Sequence, residues 1–142
     1  MASNPHDFTR ALIADFREHG GHVSSGPFLN RKLVLLTTKG ARTGTERTSP
    51  LAYTLDGDRI VIVASKGGAP TNPHWYHNLR THPIVTVELG GETFQARATI
   101  VSDPAERRRL YDRHAATHAG FSDYERRTSR VIPVIVLDRL DR

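Results

Sequence analysis

Two segments hold residue types that could bind a phosphate. The first, Thr37-Thr38-Lys39-Gly40-Ala41-Arg42-Thr43-Gly44-Thr45-Glu46-Arg47, follows the apolar run Leu33-Val34-Leu35-Leu36. The second, Ala64-Ser65-Lys66-Gly67-Gly68-Ala69-Pro70-Thr71-Asn72-Pro73-His74-Trp75-Tyr76-His77-Asn78-Leu79, follows Arg59-Ile60-Val61-Ile62-Val63. Each puts glycines and cations at the end of a run of strand formers. Backbone N–H groups, permissive backbone and fixed positive charge then meet in one place, as a phosphate requires. Arg42 and Arg47 can grip a phosphate through two parallel N–H bonds, Lys66 acts as a point charge, and Thr43 and Gly44 add a hydroxyl and an accessible amide. The plainer alternative is a pair of basic turns. Neither the G-x-x-x-x-G-K-[ST] loop nor the G-x-G-x-x-G fingerprint occurs, which argues against a Walker NTPase or a Rossmann dinucleotide site.

Taken in order, the two segments resemble the deazaflavin-dependent nitroreductase family, split-barrel oxidoreductases that use reduced 8-hydroxy-5-deazaflavin (coenzyme F420). The resemblance runs from about Phe28 to Leu137. It implies that Ala41, Arg42, Thr43, Arg47 and Lys66 hold the phosphate and acidic tail of F420. It implies that Thr48, Ser49, Pro50, Leu51 and Ala52 lie along the deazaflavin ring, and that Val63, Ala64 and Ser65 form the strand end beneath it. In His74-Trp75-Tyr76-His77-Asn78 it implies a helix whose Trp75 and Asn78 close over the cofactor. Family members known for nitroimidazole and quinone reduction place several tyrosines over the substrate. The matching positions here are Ala52, His118, Phe121 and Tyr124, so only Tyr124 persists and a reshaped acceptor pocket is implied. Tyr124 is the leading proton donor or substrate contact, and Ser65 is the second catalytic candidate. The implied reaction is hydride transfer from F420 to a small electron-poor acceptor: a quinone, an enone or a nitro-aromatic. An FMN-dependent enzyme on the same fold and a non-catalytic deazaflavin carrier stand as alternatives.

The composition agrees with an anionic ligand. The chain has 142 residues, 20 Lys+Arg against 15 Asp+Glu, a net charge of +5, and no cysteine. Lack of cysteine excludes disulfides, thiolate metal sites and a Cys nucleophile, and fits a cytoplasmic protein. The cations are dispersed. The densest run, Arg107-Arg108-Arg109, has Glu106 and Asp112 beside it and reads as a solvated helix face, so nucleic acid is not the expected partner. His114/His118 and His74/His77 have metal-compatible spacings but no accompanying carboxylates, and no metal is expected. No apolar stretch approaches the ~20 residues needed to span a bilayer.

Positioning these residues falls to a mostly antiparallel sheet. Phe8, Leu12, Ile13 and Phe16 predict an amphipathic helix over 7–19, closed by Gly20-Gly21. Its mixed polar face favours packing on the barrel, and leaves loose membrane-surface association through this helix open. Strands are predicted over 32–37, 45–55, 60–64, about 85–89, 93–101 and 131–137, with turns at 39–44, Asp56-Gly57-Asp58 and Gly90-Gly91. Asn72-Pro73 reads as the N-cap and first position of a short helix through Leu79. Asp103-Pro104-Ala105-Glu106 reads as the capping box of a helix toward Ala119, and a helical turn is expected at 122–127. The expected fold is mainly β (α+β), a split β-barrel of about six strands with peripheral helices. Residues 1–27 are expected to form an N-terminal helix and linker, the resemblance implies that residues 28–142 form the deazaflavin-binding barrel, and a monomer or homodimer is expected.

Overall fold

The computed structural model describes residues 5–140. In chain order the elements are α1 (Pro5–Glu18), β1 (Leu33–Lys39), β2 (Glu46–Ala52), β3 (Thr54–Asp56), β4 (Arg59–Val63), a 3-10 turn (Lys66–Gly68), α2 (His74–Thr81), β5 (Ile84–Leu89), β6 (Glu92–Ile100), α3 (Pro104–Thr117), α4 (Phe121–Arg126) and β7 (Val134–Arg139). All strands join one sheet in the order β2-β1-β5-β6-β7-β4-β3, and every pairing is antiparallel.

The sheet has seven strands because the single strand expected over 45–55 is two. The break falls at Tyr53, and the halves lie at opposite edges of the sheet: β2 pairs with β1, β3 with β4. Passing from one edge to the other within one residue requires the sheet to curl until its edges lie side by side. The result is a split barrel. Pro50, paired with Leu35 inside β2, lacks an N–H and so suits an edge strand. A pair of threonine hydroxyls, Thr37 Oγ1 and Thr48 Oγ1 at 2.8 Å, fixes the β1–β2 register.

The apolar runs are strands buried on both faces. Along β4, Ile60 and Ile62 face the barrel interior, while Val61 and Val63 face a second core under α3. β7 repeats this with Ile135 and Leu137 inward, Val134 and Val136 outward. β1 sends Val34 and Leu36 inward and offers Leu33 and Leu35 to Leu12 and Phe16 of α1. Burying one such side chain is worth ~1.5–3 kcal/mol. The stripe read at Leu12 and Phe16 is thus the seam that holds α1 on the sheet.

Helix ends follow local chemistry, with one exception. The Asp103 side chain accepts from the Glu106 N–H at 3.0 Å, and Pro104 opens α3. Such a cap contributes about 1 kcal/mol. α3 ends at Thr117, and Gly120 takes φ +97° before α4. A Cβ on Gly120 would sit 3.2 Å from the Tyr124 hydroxyl, so the Tyr124 ring uses space that glycine leaves. At α2 the expected arrangement shifts by one residue: Pro73 is the cap, helix begins at His74, and the Asn72 amide makes a tertiary hydrogen bond instead. The last strand starts at Val134 rather than Val131, because Ile132 is drawn into the core under α3 and Pro133 precedes the ladder.

Candidate functional site

A cavity of about 1160 Å³ opens beside the β2 edge. One wall is β2 from Glu46 to Ala52. The floor is the end of β4 and the turn after it: Val63, Ser65, Lys66 and Gly67. The start of α2 brings Pro73, His74 and Trp75, and α4 with the turn before it brings Ala119, Phe121 and Tyr124. The remaining wall comes from Phe8, Thr9, Arg10, Leu12 and Ile13 of α1, with Phe28, Arg31 and Leu33.

Backbone strain is concentrated at the floor. Lys66, Gly67 and Gly68 have successive φ values of +47°, +64° and +83°. Gly67 and Gly68 take the left-handed region freely, but Lys66 is held there against its side chain's preference. A Cβ on Gly68 would meet the Tyr124 carbonyl oxygen at 2.7 Å. The turn that presents Lys66 therefore packs directly on the helix that presents Tyr124. Lys66 Nζ donates to Thr71 Oγ1 at 3.2 Å across its own loop.

Cations set the electrostatics of this end. Partial desolvation, with Arg47 and Lys66 nearby, holds the His74 imidazole below its ordinary range, so it is neutral at neutral pH. Much of the remaining lining is apolar and aromatic, with Arg10 and Arg31 among it. Phe121 packs edge-on to Tyr124 at 5.1 Å between centroids, and Phe8 lies 5.9 Å from Phe28. Trp75 is 4% exposed, anchored in the barrel core with one side on the cavity.

The residues singled out in the sequence separate into two groups. Arg47, Thr48, Ser49, Pro50, Leu51, Ala52, Val63, Ser65, Lys66, His74, Trp75, Phe121 and Tyr124 line one cavity. Ala41, Arg42, Thr43, Ala64, Tyr76, Asn78 and His118 stand outside its lining. Arg42 and Thr43 are exposed on the β1–β2 turn, where Thr43 Oγ1 accepts from the Thr45 N–H at 3.2 Å. Ala64 faces the barrel core, and Tyr76 packs against that core from α2. Asn78 is buried; its Oδ1 accepts from the Ala41 N–H at 3.0 Å and its Nδ2 donates to Thr38 Oγ1 at 3.2 Å. It ties the β1–β2 turn to α2. His118 is buried behind Phe121, its Nε2 donating to the Tyr53 carbonyl at 2.7 Å.

Two contributions escaped the sequence reading. The α1 wall was legible as an amphipathic helix, but nothing in its spacing says that Phe8 and Ile13 border a cavity. Nothing in the sequence marks Arg130 either, because the groups its guanidinium meets lie about sixty residues earlier in the chain.

Comparison with known proteins places this geometry. The family model described as F420H(2)-dependent quinone reductase matches residues 8–139. An F420H(2)-dependent quinone reductase of Mycobacterium tuberculosis is 45% identical over 109 residues, covering 75% of this chain and 72% of its own. A solved structure described as an F420-H2 dependent reductase (FDR-A) superposes with a TM-score of 0.69 at 32% identity, over 76% of this chain and 95% of its own. Another, described as a domain-swapped dimer, gives a TM-score of 0.72 at 31% identity over 95% of this chain and 100% of its own. With its split barrel, its cationic cavity and a family match over nearly its whole length, the chain belongs to the F420H(2)-dependent quinone reductase family.

Proposed function

We propose that this chain reduces a quinone with reduced coenzyme F420, using the cavity beside β2. The observation that supports this is the joining, in one cavity, of the cations Arg47 and Lys66 with apolar and aromatic side chains from β2, Trp75, Phe121 and Phe28. F420 joins the complementary chemistries, a flat ring at one end and a phosphodiester with a glutamate tail at the other. A Walker or dinucleotide ligand would need glycine loops that the chain lacks.

When bound, reduced F420 supplies the hydride. Arg47 and Lys66 would hold the phosphate, Arg47 through paired N–H bonds and Lys66 as a point charge held forward by its turn. Arg42, exposed on the β1–β2 turn, would meet the mobile acidic tail rather than the phosphate. Ser49 to Ala52, with Val63 and Trp75, would shape the ring slot and keep water from it. Quinone reduction also consumes a proton. Tyr124, whose hydroxyl lies over Gly120, would hand it over, with Ser65 as the second donor. The acceptor would rest against Phe121, Phe28 and the α1 wall. Because Leu12 and Phe16 are committed to β1, a membrane role for α1 would rest on Phe8 and the neighbouring Leu29, both exposed.

The test is fluorescence binding of oxidised F420 beside FMN at one salt concentration, followed by oxidation of reduced F420 with a soluble quinone. Strong preference for F420 and turnover with quinone are the expected results. Preference for FMN would keep the fold and overturn the cofactor. F420 binding without accelerated reoxidation would leave a carrier.

A further inference from the structure

Arg130 stands outside the cavity lining, yet its guanidinium donates four hydrogen bonds to the loop that carries Lys66. Its Nη1 donates to the Ala64 carbonyl at 3.1 Å and to Asn72 Oδ1 at 2.8 Å. Its Nη2 donates to the Ser65 carbonyl at 2.7 Å, and its Nε to the Ala69 carbonyl at 2.9 Å. One planar guanidinium thus grips the loop where it leaves β4, after its left-handed turn, and where it enters α2. Burial has cost it hydration, which lowers its basicity without threatening its charge.

The loop needs such a grip. Three consecutive left-handed residues, one of them Lys66, form a conformation that persists only when its surroundings over-determine it. Within the loop itself, the turn is closed by the Gly68 N–H to the Ser65 carbonyl at 2.9 Å and the Ala69 N–H to the Lys66 carbonyl at 3.1 Å. Two of the carbonyls that Arg130 takes, at Ser65 and Ala69, bracket that turn. On the far side, α4 fills the space against Gly68.

We propose that Arg130 is a positioning residue for the phosphate end of the site: it holds the 64–72 loop in the strained form that sets Lys66 toward the cavity. This rests on the reading of Lys66 as a phosphate ligand. A lysine at this position would reach one or two of the four acceptors and would not replace the planar fork.

The experiment compares oxidised F420 with its ribityl precursor FO, which has the ring but neither phosphate nor tail. Affinities are measured by fluorescence for wild type, Arg130→Lys, Arg130→Met and Lys66→Ala, and for Arg130→Lys combined with Lys66→Ala. Misplacing Lys66 by about an ångström is expected to weaken F420 by roughly ten- to a hundred-fold, with FO changed by less than about two-fold. In the Lys66→Ala background the Arg130 substitution should have little further effect, because its action runs through Lys66. Should Arg130→Met fail to fold, Arg130→Lys keeps the charge and most of the volume and supports the same comparison. Equal loss of F420 and FO, or additive losses with Lys66→Ala, would make Arg130 a structural anchor only and overturn the proposal. A wild-type protein that holds FO as tightly as F420 would overturn the phosphate reading, and the brace with it.

Discussion

His74 shows how one residue can report the charge of a ligand. In the free protein it is neutral, because it is partly desolvated and faces Arg47 and Lys66. A phosphate bound between those cations offsets part of their charge and so is expected to raise the imidazole's pKa. The complex then holds more protons than the separated partners, so F420 affinity rises as pH falls between the bound and free pKa values and is flat above the bound one. The slope is at most about tenfold per pH unit. FO binding corrects for titration of the shared ring, and His74→Gln should flatten the difference between the two ligands. A slope that survives in His74→Gln would assign the proton elsewhere. Arg47→Ala and Lys66→Ala remove exposed side chains, so each should weaken F420 by about ten- to a hundred-fold while leaving the melting temperature nearly unchanged. For the acceptor, Tyr124→Phe separates chemistry from packing. Loss of a proton donor lowers kcat by about 10²-fold or more, whereas loss of a wall contact moves KM alone. That Arg47 and Lys66 line one cavity was legible at this scale because each sits in or just after a turn that follows a strand-forming run. Asn78 was not legible in its actual place: helical spacing puts it near Trp75, but only the fold shows its amide bonded to Ala41 and Thr38.

α3 brings two histidines, one turn apart, against the junction between β2 and β3. His118 holds the Tyr53 carbonyl, and His114 Nδ1 lies 3.4 Å from Thr54 Oγ1 while its Nε2 has no partner. Desolvation, and then the neighbouring His118, lowers the pKa of the fully buried His114 to about 3 from an ordinary 6.5. Below pH 6.5 the unfolded chain takes a proton that the native chain refuses, so stability present at neutral pH is lost progressively as pH falls toward 3. Each pH unit inside that window costs about 1.4 kcal/mol for one such group. Thermal melts across the acid range should show this slope in wild type and a shallower one in His114→Leu, which removes a polar atom that already lacks a partner. An unchanged slope would place the acid sensitivity in other groups, the desolvated His118 and His74 or the paired carboxylates. The same junction explains what the sequence concealed about the elements. Alternation and turn residues located nearly every strand, since burial on one or both faces leaves a period in the chain. Across residues 45–55 the pattern has no gap, because Tyr53 turns the backbone without glycine or a turn dipeptide to mark it. The break is imposed by tertiary bonds: α3 takes the Tyr53 carbonyl and Thr54, and the β3 edge belongs to β4.

At the scale of the whole molecule, the cavity exists only because three layers meet: the β2 edge, the turn and α4 beside it, and α1 laid across the front. α1 has two kinds of apolar residue. Leu12 and Phe16 are buried against Leu33 and Leu35 and hold the helix down, Leu12 also reaching the cavity, while Phe8 and the partly buried Ile13 border it. These roles predict different phenotypes. Phe16→Ala should destabilise the protein by about 3–5 kcal/mol, as large-to-small changes in a packed core do. Ile13→Ala and Phe8→Ala should cost less stability than that and raise the acceptor KM several-fold, with F420 affinity unchanged, because the proposed phosphate ligands Arg47 and Lys66 lie on β2 and the turn after β4, not on α1. Steady-state kinetics at saturating F420, beside F420 titrations of the same variants, make the comparison. An equal effect on F420 would put α1 against the ring instead of the acceptor. Dilution adds a further constraint, since one similar structure is described as a domain-swapped dimer. In the present fold α1 packs on β1 of its own chain. The acceptor KM should therefore be independent of protein concentration. A KM that rises on dilution, together with a smaller mass by light scattering, would mean that the wall is exchanged between two copies and that each site is completed by its neighbour.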